Sequence, residues 1–203
     1  MPRIFSPKDR DAQLAAAEAA AIKALSLAPD GPLAHFCLGM VLASTGRVEQ
    51  GIAECEHALT INPNLASAHA TIGFYKALVG RAAETESHVN EALRLSPRDA
   101  TVHIWLMMVG ISKVVLNRYD DAAVWLRRSI EANRNNPMSH FLLSAVLALL
   151  GRLDEARAAA ASGLALNPQF KIAHYRTFLP ERVNLEQRER VIEGMRMAGV
   201  PEE

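Results

Sequence analysis

Residues 44–63 read STGRVEQGIAECEHALTINP, and closely similar segments occur three more times in the chain. The copies are LVGRAAETESHVNEALRLSP at 78–97, LNRYDDAAVWLRRSIEANRNNP at 116–137 and LLGRLDEARAAAASGLALNP at 149–168. Repetition at a fixed period of 20–50 residues indicates an array of stacked units, each one supersecondary motif. The repeat therefore decides the fold.

Three kinds of landmark set the period at 34 residues. The prolines at this spacing are Pro29, Pro63 and Pro97. The turn pairs are Gly46-Arg47, Gly80-Arg81, Asn117-Arg118 and Gly151-Arg152, at intervals of 34, 37 and 34. The histidines are His35, His69, His103, His140 and His174, at intervals of 34, 34, 37 and 34. The two longer intervals predict one three-residue insertion, between His103 and Asn117.

Each unit is predicted to be two helices joined by a tight turn. In the first copy, a helix over about 33–45 ends at Gly46, because glycine adopts the left-handed conformation common at helix C-termini. A second helix over 48–61 ends at Asn62-Pro63, because proline disfavours helix in the residue before it. Two such helices form an αα-hairpin.

Two rows of small residues mark the second helices. The first row is Ala17, Gly51, Thr85, Ala122 and Ala156, and the second is Ala24, Ala58, Ala92, Ser129 and Gly163. Small side chains on one stripe let neighbouring helices approach closely. Stacked hairpins then bury a continuous core that one hairpin could not bury alone.

The pattern resembles the tetratricopeptide-repeat (TPR) family over about residues 11–180. The period, the glycine at the turn, the small residue five positions later in GRLDEA and the endings HALTINP, EALRLSP and SGLALNP carry the resemblance. Two features depart from it: histidine replaces the aromatic residue expected early in each unit, and Arg134 replaces the third closing proline. The resemblance implies an all-α, right-handed superhelix of αα-hairpins, an α-solenoid, with a C-terminal capping helix.

We expect a single domain over residues 1–203. Its parts are a half-unit at 7–29, units at about 32–65, 66–99, 100–136 and 137–170, and a partial unit with a capping helix at 171–200. The half-unit matches a second helix without a first helix, started by Ser6 and Pro7. It caps the array, continues a longer chain, or is covered by a partner; the sequence leaves these alternatives open.

The C-terminal segment is predicted to be an amphipathic helix. Asn184 would cap it, and Gly199 and Pro201 would end it. Its apolar stripe would be Val191, Ile192 and Met195, with Leu185 at the edge. The segment RERVIEGMRMAGVPEE resembles the end of the C-terminal TPR region of bacterial adenylate/guanylate-cyclase-related signalling proteins and of some winged-helix regulators.

The first helices carry the candidate binding residues, because the resemblance implies that they line a concave surface. Counted from each histidine, the residues at the next position and four further on are apolar and share one helix face. The predicted partner-binding residues are Phe36, Met40, Phe74, Ile104, Met108 and Phe141. A partner's amphipathic helix or extended peptide would bind there; alternatively, these residues only fill the inside of the superhelix. The Lys, Asn and Arg residues with which some TPR proteins clamp a terminal carboxylate are absent from these positions.

The histidine row is not expected to bind a metal. Packed helices stand about 8–10 Å apart, whereas zinc needs ligand nitrogens about 2.0–2.1 Å from one ion. We expect each histidine to pack within its own hairpin with one ring nitrogen hydrogen-bonded. A contact in the groove is the alternative.

Two further residue sets have ordinary structural explanations. Cys37 and Cys55 are expected to be buried free thiols. The arginine after each turn is followed by acidic residues, so local ion pairs are expected, and a basic ridge for an anionic partner is the alternative.

Composition excludes several function classes. Lysine and arginine together number 22, as do aspartate and glutamate, so a nucleic-acid or anionic-membrane partner is not expected. No phosphate loop, His-Glu-x-x-His pair or nucleophile elbow occurs, so neither catalysis nor a cofactor is predicted. Two cysteines and no secretory leader indicate the cytoplasm.

The sequence predicts a protein–protein interaction module or scaffold, and the resemblance implies a bacterial signalling or regulatory system. One alternative is a regulatory region that forms a homodimer through the apolar faces of its N-terminal and C-terminal helices. Another is a ligand-sensing domain of a cyclase-like or transcription-regulator protein.

Overall fold

The computed structural model describes residues 7–178 and 185–203, and all regular elements there are helical. The α-helices are α1 (Pro7–Leu27), α2 (Pro32–Ser44), α3 (Val48–Ile61), α4 (Ala66–Leu78), α5 (Thr85–Leu95), α6 (Val102–Val115), α7 (Tyr119–Ala132), α8 (Pro137–Leu149), α9 (Leu153–Leu166), α10 (Ile172–Phe178) and α11 (Leu185–Met197). A 3₁₀ turn, Ala82–Glu84, leads into α5.

Helices α2 to α9 form four hairpins that stack in chain order. Within a hairpin the first helix packs on the second, and each second helix packs on the first helix of the next hairpin. Helix α1 packs on α2, as a second helix of a preceding unit would. The predicted all-α, right-handed superhelix of hairpins is confirmed.

The four hairpin turns share one geometry. Gly46, Gly80 and Gly151 have φ of 85°, 85° and 75°, and Asn117 has φ of 57°. At each turn, the backbone N–H of the following arginine donates to a carbonyl in the last turn of the first helix, as from Arg47 to Leu42 at 2.9 Å. This bond satisfies a carbonyl that the helix end leaves free. The left-handed backbone explains why glycine or asparagine recurs there.

The small residues allow the predicted close approach of helices. In the complete hairpins both rows are buried, with residues such as Ala58, Thr85 and Ala92 fully so. A Cβ added at Gly39 would lie 2.7 Å from the carbonyl oxygen of Gly51 on the facing helix. The backbones of α2 and α3 therefore meet where neither residue has a side chain.

The structure places the three-residue insertion earlier than the sequence prediction did. Helix packing aligns Gly110 with Gly73, because Gly110 faces Leu126 and Ala122 of α7 as Gly73 faces Thr85 and His88. The loop before α6 spans six residues, 96–101, whereas the loop before α4 spans four, 62–65. Most of the insertion thus lies in that loop. His103 is therefore one helical turn out of register with the other histidines.

The two ends of the array differ. On α1, Ala17 and Ala24 are exposed, although their equivalents in complete hairpins are buried. Helix α11 is not exposed in this way, because it packs on α8. The predicted caps Ser6 and Asn184 lie outside the described residues. Gly199, with φ of 82°, ends α11 as predicted.

Candidate binding surface

One stripe on the first helices runs along the whole array, and we call it the inner stripe. On α2 it consists of Leu33, Cys37 and Met40, at the i, i+4, i+7 spacing of one helix face. The equivalent residues in the later hairpins are Ser67, Thr71 and Phe74; Ile104, Met108 and Ile111; and Met138, Leu142 and Ala145. The stripe is mostly apolar and contains no charged residue.

Exposure falls along the inner stripe from the first hairpin to the fourth. Leu33 and Met40 are 62% and 42% exposed. The equivalent residues of α4 and α6 are half-buried, whereas Leu142 and Ala145 on α8 are buried. The stripe is therefore open over three hairpins and covered on the fourth.

The predicted binding residues lie at different depths. Met40 is exposed, and Phe36, Phe74, Ile104 and Met108 are half-buried. Ile104 and Met108 are equivalent to Leu33 and Cys37 once the insertion is placed correctly, so they still lie on the inner stripe. Leu33 and Ile111 belong to the stripe too. Leu33 was missed because positions were counted forward from His35, and Ile111 was missed because the count in α6 began at His103 instead of Gly110.

Phe141 is not at the surface. Its side chain is fully buried, stacked on Phe170 with ring centroids 3.9 Å apart and covering Gly163. Its prediction as a surface contact is corrected, because the chain after α9 returns Phe170 over it. Phe141 contributes to the core of the fourth hairpin instead.

Helix α11 covers the fourth section of the inner stripe. A Cβ added at Gly194 would collide with the carbonyl oxygen of Ala145, so the two backbones are in close contact there. Val191, Ile192 and Met195 flank this glycine and are buried in the same core cluster as Leu142 and Ala145. The predicted apolar stripe of α11 is confirmed, and α8 provides its partner surface.

Asn117 links the third turn to α11. Its Oδ1 accepts from Gln187 Nε2 at 3.1 Å, from Arg190 Nη1 at 3.0 Å and from the Tyr119 hydroxyl at 3.2 Å. The other three turns carry glycine at this position and have no side chain to offer. The departure from glycine in the third unit therefore has a structural role, because asparagine tolerates the left-handed backbone and supplies an acceptor.

The repeated histidines tie each first helix to the loop before it. His35, His69 and His140 donate from Nε2 to the carbonyl oxygens of Pro29, Pro63 and Arg134, each six residues earlier, at 2.8–3.1 Å. The predicted hydrogen bond through a ring nitrogen is present at these positions. His103, out of register, contacts the carbonyl of Ala100 from Nδ1 instead. The side chain of His174 lies outside the described residues.

Two buried lysines occupy one repeat position. Lys76 and Lys113 are equivalent, and both are buried, where the other hairpins have Leu42 and Leu147. Lys113 pairs with Glu86 of the preceding hairpin. The Lys113 ammonium therefore has an acidic partner on a neighbouring helix, and so does the Lys76 ammonium, whose partners are Glu84 and Glu56.

Lys76 lies at the centre of a polar cluster. Its Nζ donates to Glu84 and to His88 Nε2, each at 3.1 Å, and lies 3.8 Å from Glu56. Burial, the Lys76 ammonium and His69 hold the pKa of His88 below its usual range, and Glu84 and Glu56 partly offset them. Because the Lys76 ammonium can only donate, Nε2 of His88 is the acceptor in this contact.

The cysteines and turn arginines largely match their structural explanations. Cys55 is buried, and burial with the nearby Glu54 and Glu56 raises the pKa of its thiol to about 12. Cys37 is exposed, which corrects its predicted burial. The ion pairs of the turn arginines are Arg47–Glu18, Arg81–Glu84, Arg118–Asp121 and Arg152–Glu155. Arg81, Arg118 and Arg152 pair with an acidic residue three positions later, as predicted, whereas Arg47 pairs with Glu18 of α1 instead of a following residue. None of the four pairs supports a free basic ridge.

Two other kinds of site are absent from the part of the chain that the structure describes. Among those residues, no three His, Cys, Asp or Glu side chains lie close enough together to hold a metal ion. No helix within residues 7–178 and 185–203 is long and apolar enough to cross a membrane.

Comparisons with known proteins agree with this architecture. The family model described as tetratricopeptide repeat matches residues 10–66 and 108–169. The solved structure of PilW, described as a widely conserved type IV pilus biogenesis factor, is similar with a TM-score of 0.74 at 19% identity, over 93% of this chain and 83% of that one. No curated protein sequence matches the chain significantly.

Two other solved structures are similar in fold. TTC0263, a thermophilic TPR protein of Thermus thermophilus, has a TM-score of 0.68 at 20% identity, over 91% of both chains. YrrB, described as a TPR protein with an unusual peptide-binding site, has a TM-score of 0.57 at 23% identity, over 88% of this chain and 90% of that one.

Proposed function

Because the chain belongs to the tetratricopeptide repeat family, we propose that it is a non-catalytic protein–protein interaction module. Its ligand is an amphipathic helix of a partner protein, bound on the open part of the inner stripe. The observation that supports this most is α11, an amphipathic helix already lying on the α8 section of the same stripe. The similarity to YrrB, a protein with a peptide-binding site, agrees with this proposal.

The binding contacts would come from exposed and half-buried residues of the first three hairpins. Phe36, Met40, Phe74, Ile104 and Met108 are the predicted contacts, and Leu33 extends them at the first hairpin. Burial of apolar surface contributes about 25 cal/mol per Å². After ordering and association costs, such a surface supports affinities on the order of micromolar. A partner helix is favoured over an extended peptide because the inner stripe has few groups to pair with an open backbone.

The cellular setting is part of the proposal. The C-terminal segment resembles the tails of TPR regions in bacterial cyclase-related signalling proteins, which supports a role in a bacterial signalling or regulatory system. With that role we place the chain in the cytoplasm.

Self-association is a second candidate, supported by α1. Leu27 is 80% exposed there, on the same side of the helix as the uncovered Ala17 and Ala24, and Ile22 is 53% exposed on another side. A second copy could cover this face. The other predicted surface, the apolar stripe of α11, is already buried on α8, so α1 alone supports this candidate. Light scattering tests it: a monomer at high micromolar concentration would exclude it.

The main proposal is tested by site-specific photo-crosslinking in cells that naturally contain the chain. A benzophenone side chain replaces Met40, and the control replaces Val124, which is 54% exposed on the second helix α7. We expect the Met40 adduct to map to one amphipathic helical segment that is absent from the Val124 control. That segment, made as a peptide, should bind the chain, and Met40→Glu or Phe74→Glu should weaken binding at least tenfold. Binding weakened by Val124→Glu but not by Met40→Glu would contradict the proposal.

A further inference from the structure

We propose that α11 is a removable occupant of the inner stripe, which closes the fourth section and leaves it while the four hairpins stay folded. The consequence is a competition: a partner helix that extends to α8 must displace α11. That consequence rests on the proposed function, but the opening itself is a property of this chain alone.

The contacts of α11 differ from those of the repeat helices. Helices α3 to α8 each pack on their hairpin partner and on a neighbouring hairpin, and α9 packs on its partner α8, whereas α11 has no hairpin partner in the array and packs mainly on α8, with a smaller contact to α10. It is not part of the repeat, so its departure leaves every helix contact between α2 and α9 in place. Its apolar contact centres on Val191, Ile192 and Met195.

The close contact with α8 depends on one glycine. Gly194 lets the α11 backbone reach Ala145, where any side chain would collide with a backbone carbonyl. On α2, α4 and α6 the equivalent positions hold Met40, Phe74 and Ile111, which would keep a helix backbone further away. The surface of α8 therefore allows a closer helix contact than the equivalent surfaces of α2, α4 and α6, and Gly194 allows α11 to make that contact.

Polar contacts hold the two ends of the α11 segment. At its start, Gln187 and Arg190 donate to Asn117 at the third turn. Beyond its end, the carbonyls of Pro201 and Glu202 accept from the backbone N–H groups of Ile172 and Ala173. Exposed groups among these can bond to water after release, so the bonds orient α11 at a modest net gain. Because α10 loses two acceptors on release, it should loosen together with α11.

Native-state hydrogen exchange on the full chain tests the opening. We expect amides of α11 to exchange at least tenfold faster than those of α8, through a partial opening below the global unfolding free energy. Asn117→Gly keeps the turn but removes the acceptor, and should accelerate α11 exchange about threefold to tenfold while leaving α3 unchanged. The Asn117→Asp chain keeps the acceptor, so its α11 amides should exchange at the same rate as those of the natural chain. Equal exchange rates in α11 and α8, or no effect of Asn117→Gly, would overturn the proposal.

A peptide competition provides the second test. A fluorescent peptide of residues 185–203 is titrated into the natural chain and into the Gly194→Val chain, whose own α11 cannot dock. We expect at least tenfold tighter binding to the Gly194→Val chain, with its helical circular dichroism otherwise retained. A folded Gly194→Val chain that does not bind the peptide, or one whose hairpins unfold, shows that α11 is not a removable occupant. Either failure leaves the crosslinking test at Met40 unaffected, so the two proposals can be judged separately.

Discussion

The side-chain amide of Gln187 donates a hydrogen bond to Oδ1 of Asn117 at 3.1 Å, joining residues 70 positions apart in the chain. Asn117 is at the turn of the third hairpin, and Gln187 is in the first turn of α11. The contact thus joins the repeat array to an element outside the repeat. It occurs at the only described non-glycine residue with a positive φ.

A double-mutant cycle measures this contact. Asn117→Gly and Gln187→Ala should each destabilise the chain, and together they should cost less than the sum of the two. We expect a coupling of about 1 kcal/mol, the usual net value of one hydrogen bond with a largely buried partner. Urea unfolding gives the four free energies. Additive effects, within about 0.3 kcal/mol, would show that the bond contributes nothing to docking.

Close helix approach gives a prediction for two equivalent glycines. Gly39→Ala should destabilise the chain, because the new Cβ meets Cys55 Sγ at 2.6 Å and a backbone oxygen at 2.7 Å. Overpacking costs about 1–3 kcal/mol and outweighs a helix-propensity gain of about 1 kcal/mol. Gly110→Ala is the matched control, since within 3 Å its Cβ meets only side-chain atoms of Leu126 and no backbone atom. Thermal unfolding should rank Gly110→Ala as the milder change; the reverse order would contradict this packing.

Protonation of His88 predicts a loss of stability in acid. Its pKa is lowered in the folded chain by burial, Lys76 and His69, partly offset by Glu84 and Glu56, so the unfolded state binds more protons near pH 6. Stability therefore falls as the pH drops from about 7 through 6.5, and levels off below the folded-state pKa. Urea unfolding at pH 7 and pH 5 should show a smaller decrease for His88→Gln than for the natural chain. The same decrease in both chains would rule out His88 as a source of it.

The buried lysine of the third hairpin should be replaceable by an apolar residue. Leucine occupies the equivalent position in the first and fourth hairpins, and Glu86 stays partly solvated if Lys113 is removed. We expect Lys113→Leu to be between neutral and about 2 kcal/mol stabilising, since such replacements remove a desolvation cost. Glu86→Gln should instead destabilise, because it leaves a buried ammonium poorly compensated. If Lys113→Leu is the more damaging of the two in chemical unfolding, this account of the pair is wrong.

The sequence predicts the structural features that recur in every hairpin, because the same turn and helix-packing residues recur in every unit. The positive φ at Gly46 and Gly80, the helix over Val48–Ile61 and the small-residue rows all follow from turn chemistry and helix spacing. The inner stripe follows only in part: the i, i+4 pairs predict Met40, Phe74, Ile104 and Met108, whereas Leu33, Cys37 and Ile111 come from the structure.

What the sequence could not place depends on contacts outside the repeat. Phe141 is buried between Gly163 of α9 and Phe170, which follows α9, and no periodicity predicts that Phe170 returns over it. The alignment of α6 with the other first helices is set by its contact with α7 at Gly110. Aligning α6 by His103 instead shifts its residues by about one helical turn. The apolar stripe of α11 predicts a buried face, but the only sequence signal for where it docks was Asn117, the turn residue that is not glycine.

Methyl-selective NMR tests the central claim, that the inner stripe binds a helix, most directly. The helical peptide identified by crosslinking at Met40 is titrated into the full chain with labelled methionine and valine methyl groups. We predict that the methyl signals of Met40 and Met108 shift with increasing peptide while that of Val124 on α7 does not. Shifts confined to Val124, with Met40 and Met108 unmoved at saturation, would contradict binding on the inner stripe.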